Sequence, residues 1–142
     1  MWAATTGTGT PVAVKVSNPA VVDPVAARAL IQREYAFLSA LSHRNIVSVL
    51  GLTEIDHTDA GKGPGIVMEY VSGGDLASLA GSRPGHWLPV AAQLAGALVY
   101  LHAAGFVHRD IKARNVLLRS GDVPCLIDFS LAASIGDRAP LG

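Results

Sequence analysis

Cysteine is almost absent from this chain, and so is any surplus of charge. The single cysteine, Cys125, excludes an intramolecular disulfide and fits a reducing compartment: cytoplasmic, or the cytosolic part of a larger protein. Lys plus Arg and Asp plus Glu number 11 each over 142 residues, so the formal net charge is zero. General nucleic-acid and anionic-membrane binders carry a basic surplus, and this balance argues against both classes. The opening Met1-Trp2-Ala3-Ala4-Thr5 has no basic segment followed by an apolar core, so no secretory leader is read. Internal repeats and low-complexity tracts are also lacking. What remains is an oily chain of one-domain size, 50% hydrophobic and only 15% charged.

Between Trp87 and Val107 there is no Asp, Glu, Lys or Arg, a run long enough to cross a bilayer. It is nevertheless broken by Pro89, Gln93, Gly96, His102 and Gly105. Its larger apolar residues, Leu94, Leu98 and Leu101, recur at helical spacing, as in a helix buried in a protein core. No membrane span is expected.

Taken in order, residues 5–10 are turn-rich and Pro11-Val12-Ala13-Val14-Lys15-Val16 reads as a strand. Residues 24–41 read as a helix, with Asp23 as N-cap, Pro24 at the first helical position, and Leu30, Glu34, Phe37, Leu38 and Leu41 on neighbouring turns. Residues 46–55 and 65–71 read as strands, and the polar, glycine-bearing stretch 56–64 as the loop between them. A turn at Ser72-Gly73-Gly74, a short helix near 75–79 and a long helix from about Pro89 follow. Two short strands, 116–118 and 125–127, flank a turn at 119–122. Strands come early and helix late, which makes the class α+β with a boundary near residues 72–74.

One loop concentrates the charge. In His108-Arg109-Asp110-Ile111-Lys112-Ala113-Arg114-Asn115, an acid, cations and an amide sit between apolar runs, a pattern suited to gathering a phosphate and its metal. This loop resembles the catalytic loop of protein kinases, H-R-D-x-K-x-x-N. Other stretches resemble the same family in the same order. Val12-Ala13-Val14-Lys15 is similar to the V-A-I-K strand. Glu34, Leu38, Leu41, His43, Asn45, Ile46 and Val47 are similar to the helix and strand that follow it. Ile66-Val67-Met68-Glu69-Tyr70-Val71 with Ser72-Gly73-Gly74-Asp75 is similar to the hinge, and Asp128-Phe129-Ser130 stands where the family carries D-F-G.

The resemblance implies a partial two-lobe protein kinase fold, residues 11–71 in the small lobe and 72–142 in the large one. It implies ATP and Mg²⁺ as cofactors and a protein hydroxyl as acceptor. Asp110 would be the catalytic base, Lys112 would neutralise the transferring phosphate, and Asn115 and Asp128 would hold Mg²⁺. Lys15, paired with Glu34, would meet the α/β-phosphates. Nucleotide contacts would come from Ala13, Lys15, Met68, Glu69, Val71, Asp75 and Leu117, with backbone groups near Glu69 and Val71 meeting adenine and Asp75 the ribose. Lys112 resembles serine/threonine kinases while Ala113-Arg114-Asn115 resembles tyrosine kinases, a mixture similar to the tyrosine-kinase-like group.

The chain departs from the family in places. A Gly-rich loop G-x-G-x-x-G is absent, since Gly7-Thr8-Gly9-Thr10-Pro11-Val12 has Val12 in place of the third glycine. The first two strands and the lid over the phosphates are therefore expected to be missing. Ala139-Pro140-Leu141 is a chance echo of A-P-E, and Leu94, Leu98 and Leu101 are expected to lack part of their cover. Ser130 replaces a glycine whose backbone freedom serine does not share. Two readings stay open: an ATP-dependent serine/threonine kinase, and a catalytically incompetent kinase-like fragment that binds or regulates, or derives from an incomplete gene model. A small-molecule phosphotransferase ranks lower, and the oligomeric state is left open.

Overall fold

Val12, Ala13 and Val14 are apolar without interruption, and a strand with that pattern is stable only with neighbours on both sides. In the computed structural model, which describes residues 1–16, 23–57, 61–81 and 84–136, this strand is central and its three apolar residues are buried. The described residues separate into two compact units, one from 1–42 and 47–71, the other from 43–46 and 72–136. The architecture is α+β.

The first unit is an antiparallel sheet of β1 (Trp2–Thr5), β2 (Pro11–Val16), β3 (Val49–His57) and β4 (Gly61–Glu69) in the order β1-β2-β4-β3, with helix α1 (Pro24–Ser39) against β3 and β4. Strand β1 corrects the expectation that both strands before the lysine strand are missing. It pairs with β2 from Trp2↔Val14 to Thr5↔Pro11, and the turn closes through Gly9 N–H to Thr6 O at 2.9 Å. In α1 the Asp23 carboxylate accepts from Val25 N–H at 3.1 Å and Ala26 N–H at 3.0 Å, with Pro24 starting the helix as expected. Its buried stripe is Ala27, Ile31, Glu34 and Leu38, and Leu30 is exposed, so the inward face is rotated from the one expected. The helix stops at Ser39, not Leu41, because Ala40 N–H and Leu41 N–H turn to carbonyls three residues back, at Phe37 and Leu38.

The loop expected over 56–64 is mostly ladder. Strands β3 and β4 stay in register through Glu54↔Pro64, Ile55↔Gly63, Asp56↔Lys62 and His57↔Gly61. Among the described residues the pairing of β4 with β2 runs from Val12↔Glu69 to Val16↔Gly65, one position short of Pro64.

The second unit is built on α2 (Pro84–Ala103), β5 (Phe106–Val107), the hairpin β6 (Val116–Arg119) with β7 (Val123–Leu126), and β8 (Ala133–Ser134), with 3₁₀ turns at Leu76–Leu79 and Ala113–Asn115. Helix α2 begins at Pro84 and encloses Pro89, five residues earlier than the expected start near Pro89. Leu101 is fully buried, whereas Leu94 and Leu98 are half-buried. Among the described residues no helix is long and apolar enough to cross a membrane.

Two side-chain and backbone clips organise this unit around β6 and β7. Asn45, itself buried, donates from Nδ2 to Pro124 O at 2.7 Å and accepts from Leu126 N–H at 2.8 Å through its own carbonyl. Gly73 N–H donates to Leu118 O at 2.9 Å, and Leu118 N–H to Gly74 O at 2.8 Å. A Cβ at Gly73 would overlap the Leu118 carbonyl, so only glycine fits this approach. The echo at Ala139-Pro140-Leu141 lies outside the described residues.

Candidate active site

In the first unit, residues paired across an antiparallel ladder point to the same face, and alternate residues share it. The pairs Ala13↔Met68 and Lys15↔Ile66 therefore put Ala13, Lys15, Ile66 and Met68 on one face. From it Lys15 Nζ donates to Glu34 Oε1 at 2.6 Å, the carboxylate side chain being only 4% exposed and the lysine 16%. An unpaired carboxylate that deep would be strongly disfavoured, so the ion pair and the seating of α1 depend on each other. A solvated bidentate pair, Arg28 Nη1 and Nη2 to Glu54 Oε1 and Oε2 at 2.7 and 3.3 Å, ties the first half of α1 to β3.

At the end of β4, Glu69 N–H donates to Ser48 O at 3.0 Å and the Glu69 carboxylate accepts from Ser48 N–H at 2.8 Å. The Glu69 amide is thus engaged within its own unit. No described residue bonds the Val71 N–H or carbonyl, which leaves both groups open to a ligand.

In the second unit, the loop between β5 and the Ala113–Asn115 turn gathers Asp110, Lys112 and Asn115. Asp110 Oδ2 accepts from Lys112 Nζ at 2.6 Å and from Asn115 Nδ2 at 2.8 Å, and Asn115 Nδ2 also reaches Asp110 O at 2.9 Å. Both bonds fix the amide nitrogen toward Asp110, so Asn115 Oδ1 points elsewhere. No described residue donates to that oxygen or to Asp110 Oδ1, although Asn115 is buried. The hydrogen bond from Lys112 chiefly holds the Asp110 carboxyl below the usual carboxylate range. Partial burial opposes this, the Asn115 bond and the lysine charge add to it, and the Asp128 charge works against it.

The backbone around this loop is tied to the end of β7. His108 is buried; its Nδ1 accepts from Asp110 N–H at 3.3 Å, so Nε2 carries the proton and donates to Ile127 O at 3.0 Å. Phe129 packs edge-on against the imidazole with centroids 4.6 Å apart. Arg109 and Asp128 take left-handed torsions, φ 67° and 62°, on either side of this clamp. Ser130 does not: among the described residues the non-glycine ones with positive φ are Arg109, Asp122 and Asp128, so serine meets no backbone penalty in this arrangement. Its hydroxyl instead donates to Asp128 Oδ1 at 2.6 Å.

Asp75 and Leu117 are brought together by an antiparallel bridge. Asp75 does not cap the following turn with its side chain, and no described residue bonds its carboxylate. Among the described residues no group of three or more His, Cys, Asp or Glu could enclose a metal. The residues of this loop unit that carry suitable oxygens are Asn115, through its amide oxygen, and Asp128, through its carboxylate: hard donors and few. That set fits Mg²⁺, which keeps several waters and binds through one or two protein oxygens plus phosphate.

Sequence reasoning quoted His108 only as part of a motif. Its role as the clamp between the Asp110 loop and Ile127 had no local signal, because the partner is a backbone carbonyl distant in the chain. The Asn45 clip was likewise legible only as a motif position.

The chain matches the protein tyrosine and serine/threonine kinase family over residues 1–140. It is 39% identical over 134 residues to a probable serine/threonine-protein kinase of Streptomyces coelicolor, covering 91% of this chain and 20% of that protein. It is 32% identical over 130 residues to the serine/threonine-protein kinase PknB of Mycobacterium leprae, covering 89% and 21%. Similarity extends to a discoidin domain-containing receptor tyrosine kinase of Caenorhabditis elegans, 36% over 107 residues, covering 72% and 13%. The chain spans about a fifth of the length of the first two of these relatives. With the Lys15–Glu34 pair and the Asp110 loop in place, the match over nearly its whole length shows that this chain belongs to the protein kinase family.

Proposed function

We propose that this chain carries the phosphoryl-transfer centre of an ATP- and Mg²⁺-dependent protein kinase acting on serine or threonine hydroxyls. The observation that carries the reading is the state of Asp110. One oxygen is pinned by Lys112 and Asn115 while no described residue bonds the other, and the carboxyl is held ionised. An ionised, oriented carboxylate with one oxygen open is what a substrate hydroxyl needs as it gives up its proton, and such bases contribute roughly 10²–10⁴-fold.

The remaining roles follow the same chemistry. Lys112 neutralises charge on the transferring phosphoryl group, and Asn115 Oδ1 with the Asp128 carboxylate holds Mg²⁺, which when bound offsets the negative charge of the phosphates. In the first unit Lys15, oriented by Glu34, binds the α/β-phosphates. Ala13 and Met68 line the adenine, the Glu69 carbonyl and the Val71 backbone bond its edge, and in the second unit Asp75 meets the ribose and Leu117 the base. Residues 11–71, extended by Trp2–Thr5, serve as the small-lobe portion and 72–142 as the large-lobe portion. A reducing, cytosolic setting suits the lone Cys125, which is buried and in no disulfide.

The test is phosphoryl transfer from labelled ATP to a generic protein substrate. Asp110→Asn and Lys15→Met are expected to abolish it, and transfer indifferent to both overturns the reading. A second reading is nucleotide binding without turnover. In that case ATP with Mg²⁺ raises the melting temperature while no transfer is detected.

A further inference from the structure

The turn that closes the Asp110 loop presents three side chains in three directions. Ala113–Asn115 is a 3₁₀ turn, closed by Asn115 N–H to Lys112 O at 2.9 Å. Three residues to a turn set successive side chains about 120° apart. Ala113 lines an apolar groove with Leu76, Trp87 and Leu94. Asn115 is buried and bonded back to Asp110. Arg114 takes the third direction and is exposed.

Arg114 is also the cation of this loop that no described residue neutralises. Lys112 Nζ is held by Asp110 Oδ2 at 2.6 Å, and Arg109 has contacts of its own. No described residue bonds or pairs with the Arg114 guanidinium. Arg109, Lys112 and Arg114 stand against Asp110 alone, so residues 108–115 are locally basic in a chain whose formal net charge is zero. The 3₁₀ turn Leu76–Leu79, which packs on Ala113–Asn115, brings no charged residue. An exposed guanidinium, with five donors on a fixed turn, suits a carboxylate from outside the chain.

We propose that Arg114 is a specificity-determining residue: it meets an aspartate or glutamate of the acceptor segment while Asp110 meets the hydroxyl. This rests on the reading of Asp110 as the base for a protein hydroxyl. The two residues are four apart in a chain that covers at most about 3.6 Å per residue, so their Cα atoms lie within about 14 Å. An extended acceptor spans that distance in about four residues, which places the selected acid within about four positions of the hydroxyl. The same guanidinium disfavours a lysine there, so selection works by repulsion as well as attraction.

The experiment gives the 142-residue chain labelled ATP and peptides with one serine in a glycine–alanine frame. Each peptide carries glutamate, alanine or lysine at one position, from four before to four after the serine. At the selected position glutamate is expected to raise kcat/KM over alanine by about two- to fivefold, the scale of one solvent-exposed ion pair, and lysine to lower it. The difference should be carried by KM and shrink as salt rises. Arg114→Glu is expected to invert the order, and Arg114→Lys, which keeps the charge, to preserve it. Transfer by the parent chain without regard to peptide charge overturns the role of Arg114 and leaves the kinase reading standing. The parental order in Arg114→Glu overturns it too, since another group then reads the acid. Loss of transfer to every peptide in Arg114→Glu overturns the selective role by making Arg114 part of the phosphoryl-transfer centre. No transfer to any peptide by the parent chain overturns both readings.

Discussion

Breaking the Lys15–Glu34 pair from either side should destabilise the first unit unequally, and the asymmetry follows from burial. The glutamate side chain is 4% exposed and the lysine 16%, with 2.6 Å between the charged atoms. Lys15→Met removes the cation from a carboxylate with almost no access to water, which places its cost within the about 3–5 kcal/mol seen when a buried pair loses one partner. Glu34→Gln strands a lysine whose long stem can carry the ammonium toward solvent, and the amide oxygen still accepts a bond. Its cost should be smaller, about 1–2 kcal/mol. The double variant Lys15→Met with Glu34→Leu leaves no charge to desolvate and should recover most of the stability while transfer activity stays abolished. Urea denaturation followed by circular dichroism measures all three. If Lys15→Met costs no more than Glu34→Gln, or the double variant is as unstable as the worse single one, the pair is not governed by desolvation and the reasoning fails.

Lys112→Met removes the foremost cause of the lowered Asp110 pKa, so that pKa should rise toward the ordinary value. A group with a depressed folded pKa keeps its contribution above the unfolded value, near 3.9, and loses it as pH falls through the folded one. The acidic limb of the activity profile should therefore move to higher pH in the variant; an unmoved limb means that Lys112 does not set it. Gly73→Ala places a Cβ onto the Leu118 carbonyl oxygen and must push apart the Ser72–Gly74 turn and β6. A loss of about 1–3 kcal/mol is expected in chemical denaturation, and a variant as stable as the parent would show the approach to be slack.

What the sequence made legible was local. Asp110, Lys112 and Asn115 lie within one short loop, and their spacing alone brought them together on paper; the structure bonds all three. The strands around Lys15 and Met68 read clearly because apolar runs dominate them. Failures came where local propensity and long-range pairing disagree. Gly61, Gly63 and Pro64 are strand breakers taken singly, yet the ladder to β3 carries through them. At Gly65 a Cβ would come within 3.2 Å of Val14 Cγ1, so a larger residue there requires Val14 to shift by a few tenths of an ångström. Trp2–Thr5 is too short to show a period and becomes a strand only because β2 offers it an edge. In α1 the stripe is set by what β3 and β4 present, so Ile31 and Ala27 turn inward while the larger Leu30 stays outside.

The same division explains why residues with the plainest chemistry depend on one with none of its own. Arg109 and Asp128 each hold a left-handed torsion that costs a non-glycine residue about 1–3 kcal/mol unless its neighbours enforce it. One imidazole touches the neighbours of both. His108 Nδ1 takes the amide of Asp110, just after Arg109, and Nε2 gives its proton to the carbonyl of Ile127, just before Asp128. That pattern requires the neutral ring with its proton on Nε2. Burial and the Phe129 ring keep the imidazole from turning away. The two carboxylates assigned to base and metal are thus held by a single rigid group bonded to backbone atoms on either side. Their mutual placement is a property of the main chain, and the loop can hold Asp110 and Asp128 ready without either one bonding the other.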